Sequence, residues 1–418
     1  MGVALSIIAA ATLVPSPGAN GGLPVVWCVT CSPNWLSDAI SNVALFVPLG
    51  AALSLWRVRT GRALLMGTGL SLLVEILQYV GLPPGRTPAL ADVVTNSTGA
   101  LLGAAIVASR AALLYPRARA ARVLLAFWTL ATSTVLMVSS WLFSPVTRSV
   151  GASSPVSASS LPFVPGYGWY SADPDSGFVN GVGIPHVGSG PVIAQMARTD
   201  TVRLSVLVRG RDARHFTVPV LYVHAPDERR AHVLLGQRGT SAVVRTTTVA
   251  RGYGLNAPEL TLHNVFALSA RSALASVKLE ATVARGFLSL TAAENDSPQV
   301  VRQATMELTP ALAWSLFQGV IRLDSPAASL MTTLWLLAWF APGGYWTVRA
   351  CRTGSTTAAN TVAAVAVWGA VMIGVTFAGA AIFEVQPLET WQTLLAALET
   401  AVGAGVGFFT VNARPPSL

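Results

Sequence analysis

The sequence predicts a multi-pass α-helical membrane protein that carries an all-β domain outside the membrane. Of its 418 residues, 52% are hydrophobic and only 11% are charged, a balance that is typical of membrane proteins. Apolar runs of membrane-spanning length occur before residue 144 and after residue 326, whereas the segment between them contains short alternating stretches. A wholly globular protein would not need such long apolar runs.

The N-terminal region, residues 1–143, contains five apolar runs that predict membrane helices. They cover approximately residues 3–14, 39–56, 63–80, 93–109 and 123–143. The first run would span only about 18 Å as a helix, short of the roughly 30 Å hydrocarbon core of a bilayer. We interpret it as a shortened first membrane helix. The C-terminal region, residues 326–418, adds helices at approximately 327–348, 361–383 and 391–411. The chain thus has seven or eight crossings, depending on the first run.

Arginine residues between the apolar runs define the predicted orientation. The segments assigned to the cytoplasm contain ten Arg and no acid: Arg57, Arg59, Arg62, Arg110, Arg117, Arg119, Arg122, Arg349, Arg352 and Arg414. Positive charge concentrates on the cytoplasmic side of membrane proteins. The net charge of +9 therefore reflects orientation in a lipid bilayer, and we predict no nucleic-acid partner. The same assignment puts residues 144–325 outside the cytoplasmic membrane.

Two cysteines lie in the predicted outer loop before the second helix. Cys28 and Cys31 are separated by two residues, and in an oxidising compartment such a pair forms a small disulfide or stays reactive. No second pair of ligands follows them, so the spacing does not indicate zinc. The sequence predicts no metal site and no cofactor.

Residues 144–325 change to a pattern typical of β-strands. Val202, Leu204, Val206 and Val208 alternate with polar residues, and 277–283 repeat this period of two. Further strands are predicted at 220–224, 233–235, 242–249, 287–291 and 300–306. Many short strands without a convincing helix predict a β-sandwich. The order of these pieces, most clearly over residues 201–291, resembles the concanavalin A-like or laminin G-like jelly roll.

The candidate site is a set of acids and amides that interrupt the second, third and fourth apolar runs. Each run contains an acid with an amide three or four residues later: Asp38 with Asn42, Glu75 with Gln78, and Asp92 with Asn96. Residues at this spacing share one helix face. The predicted orientation brings all six residues toward the outer side. Arg86, in the loop 81–91, is the cation that we expect near Glu75, because a charge about 7 Å deep in a membrane needs a partner.

Structural roles are the alternatives for several of these residues. Asp38 and Asp92 stand where helices begin, so they are also candidates for capping free backbone amides. Asn42 and Asn96 are candidates for hydrogen bonds between helices. Gly99 and Gly103 are four residues apart and predict close helix packing. Glu399, in the last apolar run, is a secondary candidate for the site.

These residues also carry a family resemblance. Asp38, Asn42, the run Leu45–Gly50, Glu75, Gln78, Arg86, Asp92, Asn96, Gly99 and Gly103 resemble, in order and spacing, the VanZ-like family of bacterial membrane proteins. The resemblance covers residues 1–143. It implies a cell-envelope protein in a bacterial cytoplasmic (inner) membrane, and it implies a role in resistance to teicoplanin-type glycopeptides.

The candidate site residues and the family resemblance together give one functional hypothesis and two alternatives. We predict a membrane protein that binds envelope glycan or lipid-linked precursors and alters glycopeptide susceptibility. The first alternative is an enzyme acting on a lipid-linked substrate, with Glu75 and Asp92 as catalytic candidates. No nucleophile elbow or phosphate loop supports catalysis, so we favour binding. The second alternative is a small-molecule transporter. The sequence leaves the oligomeric state open.

Overall fold

The computed structural model describes residues 1–13, 34–84, 86, 88–145, 155–157, 176–183, 201–209, 217–224, 231–266, 276–294, 297–319, 321–352 and 356–411. Along the chain, an N-terminal group of helices is followed by a β domain and then by a C-terminal group of helices. Cys28 and Cys31 lie outside the described residues, so their predicted pairing stays a prediction.

The N-terminal helices agree with the predicted apolar runs to within a few residues. They are α1 (Gly2–Thr12), α2 (Trp35–Leu55), α3 (Thr60–Tyr79), α4 (Leu90–Ala108), α5 (Arg110–Leu114) and α6 (Ala118–Phe143). Helix α2 begins four residues earlier than predicted, so Asp38 lies within its first turn. The short α5 lies in the Arg-rich connector before α6, where the sequence analysis predicted no helix.

The C-terminal helices are α8 (Pro326–Arg352), α9 (Ala358–Phe383) and α10 (Thr390–Val411), and a short α7 (Val249–Gly252) lies in the β domain. Six helices in the described part are long and apolar enough to cross a membrane: α2, α3, α4, α6, α9 and α10. Helix α8 has 27 residues, but its Thr, Trp, Gly and Pro residues make it less apolar than those six. Helix α1 has 11 residues, too few to cross a bilayer alone.

The β domain contains two antiparallel sheets. One sheet has the order β1-β5-β6-β7-β8, and the other has the order β11-β10-β9-β4-β2-β3. The strands are β1 (Pro155–Ser157), β2 (Ser176–Val179), β3 (Val182–Gly183), β4 (Val202–Arg209), β5 (Val218–His224), β6 (Ala231–Arg238), β7 (Ser241–Thr246), β8 (Glu259–Leu262), β9 (Ser276–Ala284), β10 (Phe287–Glu294) and β11 (Ser297–Glu307). Residues from both sheets form one hydrophobic core.

The predicted alternation decides which side chains enter this core. Leu204, Val206 and Val208 of β4 are all buried, and Val206 is directly opposite Leu279 of β9. Strands β1, β2, β3 and β8 were not predicted from the sequence. The segment predicted as a strand over 242–249 is also shorter in the structure, because Val249 begins α7. The resemblance to a concanavalin A-like jelly roll stays a prediction.

The β domain is attached to one end of the helices. The backbone amides of Leu36 and Ser37, in the first turn of α2, both donate to the carbonyl oxygen of Gly254, at 3.1 Å each. The Trp35 ring lies against Gly254. Phe143, at the end of α6, is part of the β-domain core. The β domain therefore lies at the end of α2 opposite the connector that contains Arg57.

Candidate functional site

Helices α2 and α4 position the residues of the site. Glycines at their interface allow the two helix backbones to pack in direct contact. A Cβ placed on Gly103 would lie 2.0 Å from the carbonyl oxygen of Val47, and a Cβ on Gly99 would lie 2.2 Å from that of Val43. On the opposite helix, a Cβ on Gly50 would lie 1.9 Å from the carbonyl oxygen of Ala100. Only glycine fits at such distances. The predicted role of Gly99 and Gly103 in close packing is confirmed.

Asp92 is the centre of the polar cluster between α2 and α4. A side-chain hydrogen bond links it to Asn42 of α2, and the charges of Asp38 and Arg86 both act on it. Asp38 is exposed and Asp92 is half-buried. The structure therefore brings together four of the predicted site residues at the helix end that carries the β domain.

Glu75 is buried on α3, with 5% of its surface exposed. Its Oε2 accepts a hydrogen bond of 2.8 Å from the backbone amide of Ala89, the residue before α4. Asp92 is close enough for its charge to act on Glu75. The sequence predicted Arg86 as the cation near Glu75. That pairing stays a prediction. Arg86 is close enough for its charge to act on Asp92, and it donates a 2.8 Å hydrogen bond to the carbonyl oxygen of Ala11.

Asn96 of α4 and Gln78 of α3 are both buried. The Nδ2 of Asn96 donates a 2.9 Å hydrogen bond to the hydroxyl of Ser71. Its Oδ1 is buried without a hydrogen-bond partner in the described part of the chain. An unpaired buried acceptor of this kind costs about 1–3 kcal/mol. Asn96 therefore has a structural bond to α3 and one acceptor left for a ligand group or water.

The capping alternative for the two aspartates is not supported by the helix starts. The residues at the N-cap positions of α2 and α4 are Asn34 and Ala89, and neither helix has a side-chain cap hydrogen bond. Asp38 and Asp92 lie inside the first turns. There they still interact favourably with the positive end of the helix dipole, while their side chains remain part of the polar cluster.

The structure shows a row of polar residues on α3 that the sequence analysis missed. Thr68, Ser71, Glu75 and Gln78 follow one another at intervals of three or four residues, so they line one helix face. The Thr68 hydroxyl is 2.8 Å from the hydroxyl of Ser97 on α4. Helical spacing was the signal that would have identified Thr68 and Ser71.

Glu399 belongs to the C-terminal helix group, on α10, and not to this cluster. Its two carboxylate oxygens are buried and have no hydrogen-bond partner within the described residues. Neighbouring polar residues have other partners. Gln392 bonds to Thr309 at 2.9 Å, and the Thr400 hydroxyl donates to the carbonyl oxygen of Ala396 at 2.9 Å.

The family match covers the part of the chain that contains the polar cluster. Residues 10–114 match the model of the VanZ/LLP1 family. The chain carries a VanZ-like domain. The match lies within the predicted limits 1–143 and contains the whole polar cluster on α2, α3 and α4. No curated protein and no solved structure matches the chain.

The polar cluster contains several kinds of charged and hydrogen-bonding groups. It combines carboxylates, amides and one guanidinium at a single helix end. Guanidinium groups bind phosphates and carboxylates through two parallel hydrogen bonds, and amides both donate and accept. Within the described residues, no group of three or more His, Cys, Asp or Glu is arranged to hold a metal ion.

Proposed function

We propose that the VanZ-like domain binds a polar ligand of the bacterial cell envelope, either envelope glycan or a lipid-linked precursor. The cluster around Asp92, which joins Asn42, Asp38 and Arg86, is the observation that supports this proposal. Its location also fits the predicted membrane topology. The helix end that bears the cluster would face the outside of the cytoplasmic membrane, where such ligands are assembled.

The chemistry of the cluster fits a lipid-linked precursor. Arg86 supplies a positive charge for a phosphate or carboxylate. Asn42 and Gln78 are suited to polar groups of a glycan or peptide, because an amide offers both donors and an acceptor. The apolar outer faces of α3 and α4 would contact the lipid chain. Binding of this kind would alter susceptibility to teicoplanin-type glycopeptides by changing access to the precursor.

The test is to compare ligand binding and drug susceptibility in matched variants. The purified full chain, in detergent, would be titrated with a fluorescent undecaprenyl-pyrophosphate-linked muropeptide. Arg86→Ala should weaken binding about 10- to 100-fold, because a hydrogen bond to a charged group contributes about 1.5–3 kcal/mol. Glu75→Gln should also weaken binding. Arg62→Ala, at the opposite end of the helices, is the matched control.

Susceptibility to teicoplanin would be measured in cells that express each variant at equal membrane levels. Cells with Arg86→Ala or Glu75→Gln should differ from cells with the wild-type protein, and cells with Arg62→Ala should not. Unchanged binding and unchanged susceptibility in both site variants would contradict the proposal.

A membrane enzyme is the second candidate, and the proximity of Glu75 to the Asp92 carboxylate favours it. In that reaction Glu75 would act as a general base on a lipid-linked substrate. Turnover of the labelled precursor by the purified protein, abolished by Glu75→Gln, would support catalysis. Binding without turnover would support the first proposal.

A further inference from the structure

A short pattern, Phe-x-Pro-x-Gly, occurs once in each of two helix groups. The segment Phe46-Val47-Pro48-Leu49-Gly50 in α2 has a counterpart in Phe340-Ala341-Pro342-Gly343-Gly344 in α8. Both segments place a proline inside a long helix. Phe46 and Phe340 are both fully buried. The sequence analysis did not detect this repeat.

The two segments make the same contacts with the third helix of their group. A Cβ on Gly344 of α8 would lie 2.1 Å from the carbonyl oxygen of Thr400 on α10, as a Cβ on Gly50 would lie 1.9 Å from that of Ala100. From the other side of this interface, a Cβ on Gly403 of α10 would lie 1.9 Å from the carbonyl oxygen of Ala341 on α8. Gly103 of α4 has the equivalent contact with Val47.

The middle helix of each group also packs against the third helix, more closely in the N-terminal group. A Cβ on Gly67 of α3 would lie 2.4 Å from the Cβ of Ala100, and a Cβ on Gly369 of α9 would lie 3.5 Å from the Cγ2 of Thr400. Both groups start at the β domain, since α2 begins beside Gly254 and α8 follows the β domain directly. Helices α8, α9 and α10 therefore repeat α2, α3 and α4 in the same direction.

This correspondence identifies the positions in the C-terminal group that are equivalent to the polar cluster. Asp38 is twelve residues before Gly50, and Thr332 is twelve residues before Gly344. Asp92 is eight residues before Ala100, and Gln392 is eight residues before Thr400. Thr332 and Gln392 both line a cavity of about 280 Å³ between α8, α10 and the end of β11.

We propose that this cavity is a second ligand site and that its ligand is a sugar ring. The cavity is close in size to the smallest pockets that bind small molecules, about 300 Å³. It is lined by hydroxyl, carboxylate, amide and indole groups together with a few apolar side chains. The proposal goes beyond the function proposed for the VanZ-like domain, because it depends on other residues in another helix group.

The polar groups of the cavity are held in fixed positions before any ligand arrives. The indole Nε1 of Trp391 donates a 2.7 Å hydrogen bond to Oε2 of Glu389. The Oε1 of Gln392 accepts from the hydroxyl of Thr309 at 2.9 Å and from the backbone amide of Glu389 at 3.1 Å. The Nε2 of Gln392 donates to Oε1 of Glu389 at 3.5 Å, so one of its two N–H groups is used within the cavity and the other can donate to a ligand.

These groups suit a sugar better than an anion. The carboxylates of Glu307 and Glu389 accept hydrogen bonds from hydroxyl groups and repel phosphates and carboxylates. Trp391 is 42% exposed, and its indole can offer a flat apolar surface to the C–H face of a sugar. The described lining contains no Lys, Arg or His.

The experiment is saturation-transfer NMR on the full chain in detergent, with glucose, galactose and N-acetylglucosamine as separate probes. At least one sugar should receive saturation from the wild-type protein. Trp391→Ala should weaken its binding at least 10-fold. Ser329→Trp, which places a large ring at the cavity wall, should block binding without removing any contact that the fold needs. Trp56→Ala is the matched control, because Trp56 is also an exposed tryptophan at a helix end.

The possible results separate this inference from the function proposed above. Binding that is lost with Trp391→Ala and Ser329→Trp, but kept with Trp56→Ala and Arg86→Ala, would support a second site. Sugar binding that is lost only with Arg86→Ala would overturn it while supporting the site of the VanZ-like domain. No transfer to any sugar would also overturn it, as would ethanolamine binding that depends on Trp391 in the absence of sugar binding.

Discussion

The backbone amide of Ala89 donates a hydrogen bond of 2.8 Å to Oε2 of Glu75. This bond connects the C-terminal part of α3 to the start of α4, where Asp92 lies one turn further on. A buried carboxylate thus serves the fold by pairing a backbone amide, and it also lies beside the polar cluster. Structural and ligand-binding roles of Glu75 can be separated because Gln keeps an acceptor oxygen and leucine does not.

Glu75→Gln should leave the stability of the protein nearly unchanged, whereas Glu75→Leu should lower the free energy of unfolding by about 1–3 kcal/mol. The reason is that leucine leaves the Ala89 amide buried without an acceptor. Thermal unfolding of the detergent-solubilised protein would measure the difference. Equal stability of the two variants would contradict the importance of this bond.

Gly103→Ala should destabilise the VanZ-like domain by about 1–3 kcal/mol or more, because the new methyl group would press on the carbonyl oxygen of Val47 at 2.0 Å. Gly69→Ala in α3 is the control, since no atom lies within 4 Å of a Cβ at that position. Folded yield and thermal unfolding in detergent would be compared. Similar losses in both variants would show that helix packing is not the cause.

The β domain should lose stability as the pH falls below about 4.5, and part of that loss should depend on Glu259. Burial by itself raises the pKa of Glu259, but the charges and hydrogen bonds of Arg245 and Arg238 outweigh it and hold the pKa below its ordinary value of 4.5. Oxygen atoms of Glu259 lie 2.5 and 2.8 Å from two nitrogens of Arg238. A carboxylate with a lowered pKa stabilises the folded state fully above its unfolded-state pKa and loses this effect as it becomes protonated.

Glu259→Gln should therefore lower the stability at neutral pH by about 1–3 kcal/mol and make the acid side of the stability curve less steep. The measurement is unfolding of the full chain as a function of pH, followed by the circular dichroism of β-structure. Glu280→Gln is the control, because Glu280 forms an exposed ion pair with Lys278. An identical pH profile for Glu259→Gln and the wild type would contradict the expected role of Glu259.

Lys278 should react with a membrane-impermeant amine reagent in intact cells. It is the only lysine in the sequence, and its side chain on β9 is 53% exposed. The predicted orientation puts residues 144–325 outside the cytoplasmic membrane, so no permeabilisation should be needed. Lys278→Arg removes the signal and serves as the control. Labelling that requires permeabilised cells would reverse the predicted topology.

The sequence by itself determined the fold class and most element positions. Apolar runs long enough for a bilayer predicted the ends of the long helices to within five residues, because a helix surrounded by lipid must be apolar along most of its length. Alternation likewise predicted β4 and β9, since one face of each strand meets the core. The same local signals identified Asp38, Asn42, Asp92 and Arg86 as candidates that the structure brings together.

Only the tertiary structure decided which residues meet. The Ala89 backbone amide donates to Glu75, and the sequence could not predict this bond because every residue other than proline carries the same amide. The glycines of α2 and α4 were visible in the sequence, but the helix that each one contacts was not. The equivalence of Thr332 and Gln392 to Asp38 and Asp92 emerged only from matching contacts between α8 and α10. The periodicity of a segment predicts which of its residues are buried. Which residues of distant segments contact each other depends on how whole helices pack.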